Sequence, residues 1–430
     1  MTGARLGLRE NWFQFSLFSI ITFLVGMTIG VERVALPPLA RERFAITSVL
    51  YTVSFLSAFG LVKSLMNLVS GRLSDHRGRK VLLVAGWLFA VPYALLIIFA
   101  TNWWYVLAAN ALLGVNQALT WTMSVSSMID LVGPKGRGFA VGVNESAGYV
   151  GVGIGGIAAG ILVTRYGLRP VPYLLVLAVV AVGLAASLFL AKETLPWTRI
   201  EGKPQDGPHP QLSEIFKYMS LRDRSMMSAC HAGMINKFLD SLVAAFLPLY
   251  LLRLGIGPAE IGAIAGTYAL VWGIGQLAGG AIADRFGRRL PIVSGTFTIG
   301  VGLVVFLVAD SPFAFASGAV LMGLGMALVY PNLITVVGDT ASPAWRGSAL
   351  GVYRLWRDGG YALGPAFFGV VAAVFGLSGA LWTGSGIAVV SGIALLAWLE
   401  ESHPDLRSKP RRWEIEPWLI HLTPPDRAGN

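Results

Sequence analysis

The chain has 430 residues, 55% of them apolar and only 13% charged, against about 25% charged in soluble domains, and its mean hydropathy is +0.65. That composition excludes a water-soluble globular enzyme, and the length excludes a single-span receptor, because one membrane-crossing helix takes about 20 apolar residues. A net charge of +10 is compatible with nucleic acid, but the basic residues sit between apolar spans, so no nucleic-acid partner is expected. A lone cysteine, Cys230, excludes an internal disulfide and a cysteine-based metal site.

Hydropathy predicts an all-α integral membrane protein of twelve spans, with the lipid bilayer as its solvent. They lie near 12–36, 48–71, 80–100, 103–128, 137–164 and 171–191, then 226–252, 258–283, 290–309, 312–337, 347–375 and 379–399. The first is too long for a signal peptide, contains Glu32 and Arg33 and has no small-x-small cleavage site. Placing both termini in the cytoplasm puts 23 of the 33 Lys and Arg there, with five in outer loops and five inside spans. Lys and Arg accumulate in cytoplasmic loops, so this orientation is the expected one.

The longest polar interruption divides the spans six and six. The expected units are an N-terminal bundle over 1–191, a cytoplasmic linker over 192–224, a C-terminal bundle over 225–400 and a cytoplasmic tail over 401–430. The linker starts rich in Pro, Gly and charge from Glu193 to Pro210, which reads as flexible. Leu212, Ile215, Phe216 and Met219 then recur at helical spacing and predict a short amphipathic helix on the membrane surface. In the polar tail, Trp413 and Trp418 are placed to rest at the interface.

The halves repeat at one offset of 209 residues. Gly71-Arg-Leu-Ser-Asp75-His-Arg-Gly78-Arg79-Lys80 aligns with Gly280-Ala-Ile-Ala-Asp284-Arg-Phe-Gly287-Arg288-Arg289, Asp130 with Asp339 and Arg137 with Arg346. Gly114, Gly142 and Gly155 align with Gly323, Gly351 and Gly364. Two parallel six-helix bundles related by a pseudo-two-fold axis along the membrane normal enclose a path between them.

The paired Gly-x-x-x-Asp-x-x-Gly-Arg-Lys/Arg loops, after spans two and eight, resemble the cytoplasmic loop motif of the major facilitator superfamily. The six-plus-six layout extends the resemblance over nearly the whole chain, and within the superfamily it is most similar to bacterial drug–proton antiporter-like permeases. The resemblance implies a secondary transporter in a bacterial inner membrane, working by alternating access, and a cytoplasmic gate at Gly71, Asp75, Gly78, Arg79, Asp130 and Arg137 with their counterparts Asp284, Gly287, Arg288, Asp339 and Arg346. A carboxylate beside a helix end accepts charge-assisted hydrogen bonds from Arg or from a helix N-terminus, and such contacts are made and broken between states. The plain alternative is that the arginines only anchor the loops at the inner face.

Nine charged residues fall inside the spans: Glu32, Arg33, Lys63, Glu145, Lys237, Asp240, Arg354, Arg357 and Asp358. Each costs about 2.5–3.5 kcal/mol at mid-helix, so they must pair or face water, and they are functional candidates. Lys237 and Asp240, three apart, share a face; Glu145 and Arg354 occupy equivalent repeat positions with opposite charge. Glu32 and Arg33, just before Pro37-Pro38, read as a pair at the outer rim. The expectation is a cavity lined by Lys63, Asn67, Asn110, Gln117, Trp121, Asn144, Lys237, Tyr353 and Arg354, with Glu145 or Asp240 taking a proton. The alternative is permanent salt bridges between spans.

Asn110, Gln117 and Trp121 form a stripe that serves either a solute or neighbouring helices. The drug-antiporter branch carries an Arg in span four where this chain has Asn110, and its span-five glycine motif has a Gly-Pro that Gly148-Tyr-Val-Gly151-Val-Gly153-Ile-Gly155-Gly156 lacks; span eleven does contain Gly360-x-x-x-Gly364-Pro365. These glycines serve either gating or tight helix packing. No His-Glu-x-x-His or phosphate-loop pattern occurs, so no enzyme, metal or cofactor is expected, and transport energy comes from an ion or solute gradient. The favoured reading is a monomeric carrier exporting a small organic solute with protons. Uptake of an organic anion and a non-transporting membrane sensor are the alternatives.

Overall fold

The computed structural model describes residues 5–132, 137–198, 211–341, 345–403 and 406, with side chains for all of these except Leu68, Gly71, Arg72, Asp75, His76, Arg137, Gly138, Thr198, Asp284, Arg346 and Gly347. The described residues contain helices and no strand. Six helices form the first half: α1 Trp12–Phe44, α2 Val49–Arg77, α3 Arg79–Ile98, α4 Trp103–Val132, α5 Arg137–Tyr166 and α6 Val171–Ala185, which continues as a π turn over Ala186–Leu190. In the second half, α7 (Arg224–Ser241) runs through a π turn at Leu242–Phe246 into Leu247–Arg253. It is followed by α8 Pro258–Phe286, α9 Arg289–Val308 and α10 Pro312–Thr340. The last stretch, Arg346–Trp398, is broken by Gly376 at φ 75° into α11 and α12. That positive φ suits only a residue without a Cβ.

Ten described helices are long and apolar enough to cross a membrane, and the last of them, Ser348–Trp398, is long enough to cross twice. The twelfth crossing is α4, whose polar side chains (Asn110, Asn116, Gln117, Thr120, Thr122, Ser124) dilute its apolar character. Helix starts carry ordinary caps: Ser48 accepts from the Tyr51 N–H, Asp223 from Met226 and Ser311 from Ala314. Outward faces are apolar, with Phe189, Phe313 and Phe375 among the most exposed residues. Only a lipid environment accommodates such a surface.

The bundles repeat one another. The α1–α5, α2–α4, α3–α4 and α3–α6 contacts reappear as α7–α11, α8–α10, α9–α10 and α9–α12. Between the bundles, α5 packs on α8 and α2 on α11. The α5–α8 seam is a glycine crossing: a Cβ on Gly262 would lie 2.8 Å from the Gly156 carbonyl oxygen, and one on Gly153 2.9 Å from that of Gly266. On α11, Gly360 and Gly364 press against the α7 backbone. The glycine motifs of spans five, eight and eleven are therefore close-packing surfaces. The inter-bundle crossings lie in the part of the molecule remote from the linker. Toward the linker, Gly142 and Gly351 have nothing within 4 Å of where a Cβ would sit, so neither makes a close helix crossing there.

Two expectations differ from the structure. Helix α1 does not stop before Pro37-Pro38; both prolines lie inside it and it runs to Phe44. Proline is tolerated in a membrane helix where neighbours satisfy the freed backbone. Glu32 and Arg33 are consequently well inside a 33-residue helix, not at its rim. The linker helix, Leu212–Lys217 with its π turn Tyr218–Arg222, packs on protein more than on the membrane surface. Ile215 and Met219 are buried, Phe216 stacks on Trp356, and Trp356 Nε1 donates to Ser220 Oγ at 2.9 Å; Leu212 alone of the four stays exposed. Most of the Glu193–Pro210 segment and the tail tryptophans Trp413 and Trp418 lie outside the described residues.

Candidate functional site

Where the bundles meet, a cavity is lined by residues of both, including Glu32, Arg33, Lys63, Glu145, Lys237, Arg354, Arg357 and Asp358. Asp240 stands directly behind Arg33 and Lys237, so all nine intramembrane charges collect in one place. The space between the atoms, mouth included, is about 640 Å³.

Asp240 is the hub. Its Oδ1 accepts from Arg33 Nη1 (3.4 Å) and Tyr268 OH (2.7 Å), and its Oδ2 from Arg33 Nη2 (3.2 Å), Lys237 Nζ (2.8 Å) and Tyr361 OH. Arg33 also donates to the Tyr361 hydroxyl. The Arg33–Asp240 pair joins α1 to α7 and so bridges the bundles. Tyr149 of α5 is a second bridge: its hydroxyl accepts from Lys237 Nζ (2.9 Å) and Arg357 Nη2 (3.0 Å), and its ring stacks on Trp272 of α8 at 3.8 Å. A third joins α2 to α11, where Asn67 Nδ2 donates to Asp358 Oδ2 (2.7 Å) and Arg357 Nη1 donates to Asp358 Oδ1 (2.9 Å). The Arg357 guanidinium lies 3.8 Å over the Tyr330 ring, a favourable cation–π position.

The remaining charges are less engaged. Glu145 Oε1 accepts from Trp121 Nε1 at 3.0 Å, and Glu32 Oε1 is buried without a donor among the described residues. The Lys63 ammonium sits 5.5 Å over Phe59 and 5.6 Å over Trp121. Arg354 borders the cavity without an ion pair among the described residues. Glu145 and Arg354, related by the repeat, do not bond to each other.

Six of the nine expected lining residues reach the cavity: Lys63, Asn67, Gln117, Trp121, Lys237 and Arg354. Three do not. Asn110 turns back to the Val106 carbonyl of its own helix (2.9 Å), Asn144 accepts from Thr22 of α1 (2.8 Å), and Tyr353 is buried against Gly233. Asn110 was read from spacing along one helix, whereas the choice of face depends on which neighbour packs there. Tyr149, Tyr268, Tyr330, Trp272 and Tyr361 escape a reading based on charge alone, and Arg33, read as a rim residue, belongs to the site. A signal for the tyrosines exists in hindsight, since buried hydroxyls at mid-span need partners.

At the linker side, Arg79 Nε donates to Asp130 Oδ2 (3.3 Å), which also accepts from Thr194 Oγ1 (2.9 Å); Arg288 Nε donates to Asp339 Oδ2 (3.5 Å). Each contact lies within one bundle. The turns preceding α3 and α9 hold Gly78 and Gly287 at φ 89° and 87°, the region that favours glycine. A carboxylate that spacing did not single out closes each turn: Glu193 accepts from the Arg79 and Lys80 N–H groups (2.9 and 3.0 Å), and Glu401 from those of Arg288 and Arg289 (2.9 and 3.1 Å). A carboxylate on exposed helix N–H groups is the favourable electrostatic arrangement. The side chains of Asp75, Asp284, Arg137 and Arg346 lie outside the described residues.

Comparison with known proteins follows the same lines. The family model of the Major Facilitator Superfamily matches residues 18–235 and again 229–426. The multidrug resistance protein MdtG of Proteus mirabilis is 28% identical over 347 residues, covering 78% of this chain and 81% of its own. Among solved structures, the nucleoside transporter NupG superposes with a TM-score of 0.72 at 14% identity, covering 90% of this chain and 100% of its own. A POT family transporter in complex with 5-aminolevulinic acid gives 0.72 at 12% identity, covering 89% and 95%.

Proposed function

The chain belongs to the major facilitator superfamily, and we propose that it is a secondary active transporter that exports a small organic solute by alternating access, coupled to protons. The observation that carries the reading is the cavity between the bundles, around which nine charged side chains converge. Nothing but function or mutual pairing offsets their insertion cost, and four of them are not in ion pairs. Multidrug-resistance relatives support export. The distribution of Lys and Arg supports a cytoplasmic membrane location with both termini and the 192–224 linker inside. One chain completes the site, in keeping with a monomer built of 1–191 and 225–400 with a tail over 401–430.

Of the two coupling candidates, Glu145 is the better placed to carry the proton. Asp240 is occupied at both oxygens by two cations and two tyrosines, which suits a tie between bundles. Glu145 has one indole donor and borders the cavity. The linker-side loops, with Asp75, Arg79, Asp130 and Arg137 and their repeats, are assigned to the gate; the Arg79–Asp130 and Arg288–Asp339 bonds each lie within one bundle. The test uses proteoliposomes and a solute found by thermal shift. An imposed pH gradient drives flux through the wild-type chain and not through Glu145→Gln, which still catalyses exchange of labelled for unlabelled solute. Gradient-driven flux of wild-type size in Glu145→Gln sinks the assignment, and absence of exchange in the wild-type chain sinks transport altogether.

A further inference from the structure

The charges around the cavity divide into two groups. Arg33 and Lys237 are bonded to Asp240, and Arg357 to Asp358. Glu32, Lys63, Glu145 and Arg354 form no ion pair within 4.0 Å among the described residues. Within that second group the two signs are placed differently. The carboxylates are withdrawn, Glu32 being 1% and Glu145 3% exposed, with Glu145 held from the side by the Trp121 indole. Lys63 and Arg354 are half-buried at the cavity wall. A solute entering the cavity therefore meets positive charge first. One of these cations stands on α2 and the other on α11, so each bundle supplies one. The walls beside them are the rings of Phe59, Trp121, Tyr149, Tyr330 and Tyr361.

We infer that the transported solute is a small organic anion, a carboxylate or phosphonate carried on an aromatic or apolar body, with its charged end held between Lys63 and Arg354. This rests on the reading of the cavity as the transport site. An ammonium and a guanidinium both make charge-assisted bonds to such an anion, the guanidinium through its planar fork, and the aromatic walls take the body. An anion spanning α2 and α11 is held by both bundles at once. Contacts made in one state and not the other are what a ligand needs to shift a conformational equilibrium. A cationic solute faces the same two groups as repulsion.

The experiment is exchange across liposomes containing the full chain, with four labelled probes: 2-naphthoate, benzylphosphonate, neutral 2-naphthamide and the tetraphenylphosphonium cation. One or both anions should exchange, and the amide and the cation should not. Lys63→Gln and Arg354→Gln should each raise the half-saturating anion concentration at least tenfold in protein that elutes and melts as folded. Lys63→Arg and Arg354→Lys, which preserve the charge and serve if the Gln variants do not fold, should alter the preference between carboxylate and phosphonate at least threefold. Exchange of the amide or the cation in place of the anions, or at the same rate, overturns the inference and leaves a transporter. Anion exchange indifferent to all four substitutions overturns the assigned residues. Exchange of none of the probes overturns the anion class, and if the solute found by thermal shift is not exchanged either, the transporter reading falls with it.

Discussion

Replacing Arg33 by Gln tests whether the Asp240 hub holds the bundles together on the side remote from the linker. The substitution removes two hydrogen bonds from α1 to the α7 carboxylate (3.4 and 3.2 Å) and one to Tyr361. Asp240 is not stranded, because Lys237 remains at 2.8 Å and Tyr268 at 2.7 Å. The loss therefore stays below the roughly 3–5 kcal/mol of an orphaned buried charge and falls in the range of about 1.5–3 kcal/mol for hydrogen bonds to a charged partner. Because the pair crosses between bundles, that energy biases the equilibrium between states by roughly 10- to 150-fold. Spin labels at Tyr166→Cys and Glu260→Cys, at the remote ends of α5 and α8, report it by pulsed dipolar distance measurement in nanodiscs. The background is Cys230→Ser, Cys230 being the sole native cysteine. Arg33→Gln should add a longer-distance population. An unchanged distance distribution in folded protein refutes the hub as a cross-bundle tie.

Three further outcomes follow from the geometry. Gly262→Ala drives a Cβ to 2.8 Å from the Gly156 carbonyl and 2.9 Å from the Gly160 Cα, costing about 1–3 kcal/mol and lowering the melting temperature; Gly351→Ala, with open space around it, should be neutral or stabilising by up to about 1 kcal/mol. Glu193→Ala and Glu401→Ala should each destabilise by about 0.5–2 kcal/mol, as lost caps do, and being in separate bundles they should add in the double variant; thermal melting reads both. Trp356→Phe keeps the ring stacked near Phe216 and loses the bond to Ser220, so thermal melting should show a loss of about 0.5–1.5 kcal/mol, the equivalent of one hydrogen bond.

The twelve crossings and their pairing into halves were legible because a bilayer demands long apolar runs and a duplicated gene leaves its motifs at a constant interval. The convergence of charge was legible in part, since nine costly residues must find partners or water. Which partner each finds was not. Asp240 was read with Lys237 alone because they share a helix face, and its bonds to Arg33, Tyr268 and Tyr361 come from three other helices. Arg33 was displaced by the assumption that two prolines end a helix, a rule for water that lipid relaxes. Asn144 and Tyr353 bond or pack against helices that only the folded arrangement selects, and Asn110 turns back to its own helix. Glu193 and Glu401 passed unnoticed because a capping carboxylate over a hundred positions from the turn it closes leaves no local pattern.

Those two carboxylates also mark how the molecule came to be assembled. Each belongs to the few residues that leave the sixth helix of a bundle and return to the turn between that bundle's second and third helices. They stand 208 positions apart, one fewer than every other repeated feature, so a single-residue length change separates the copies somewhere between Gly364 and Glu401. The repeat thus does not end at the last membrane crossing of each bundle: it extends to a short exit peptide whose acid closes its own bundle's turn.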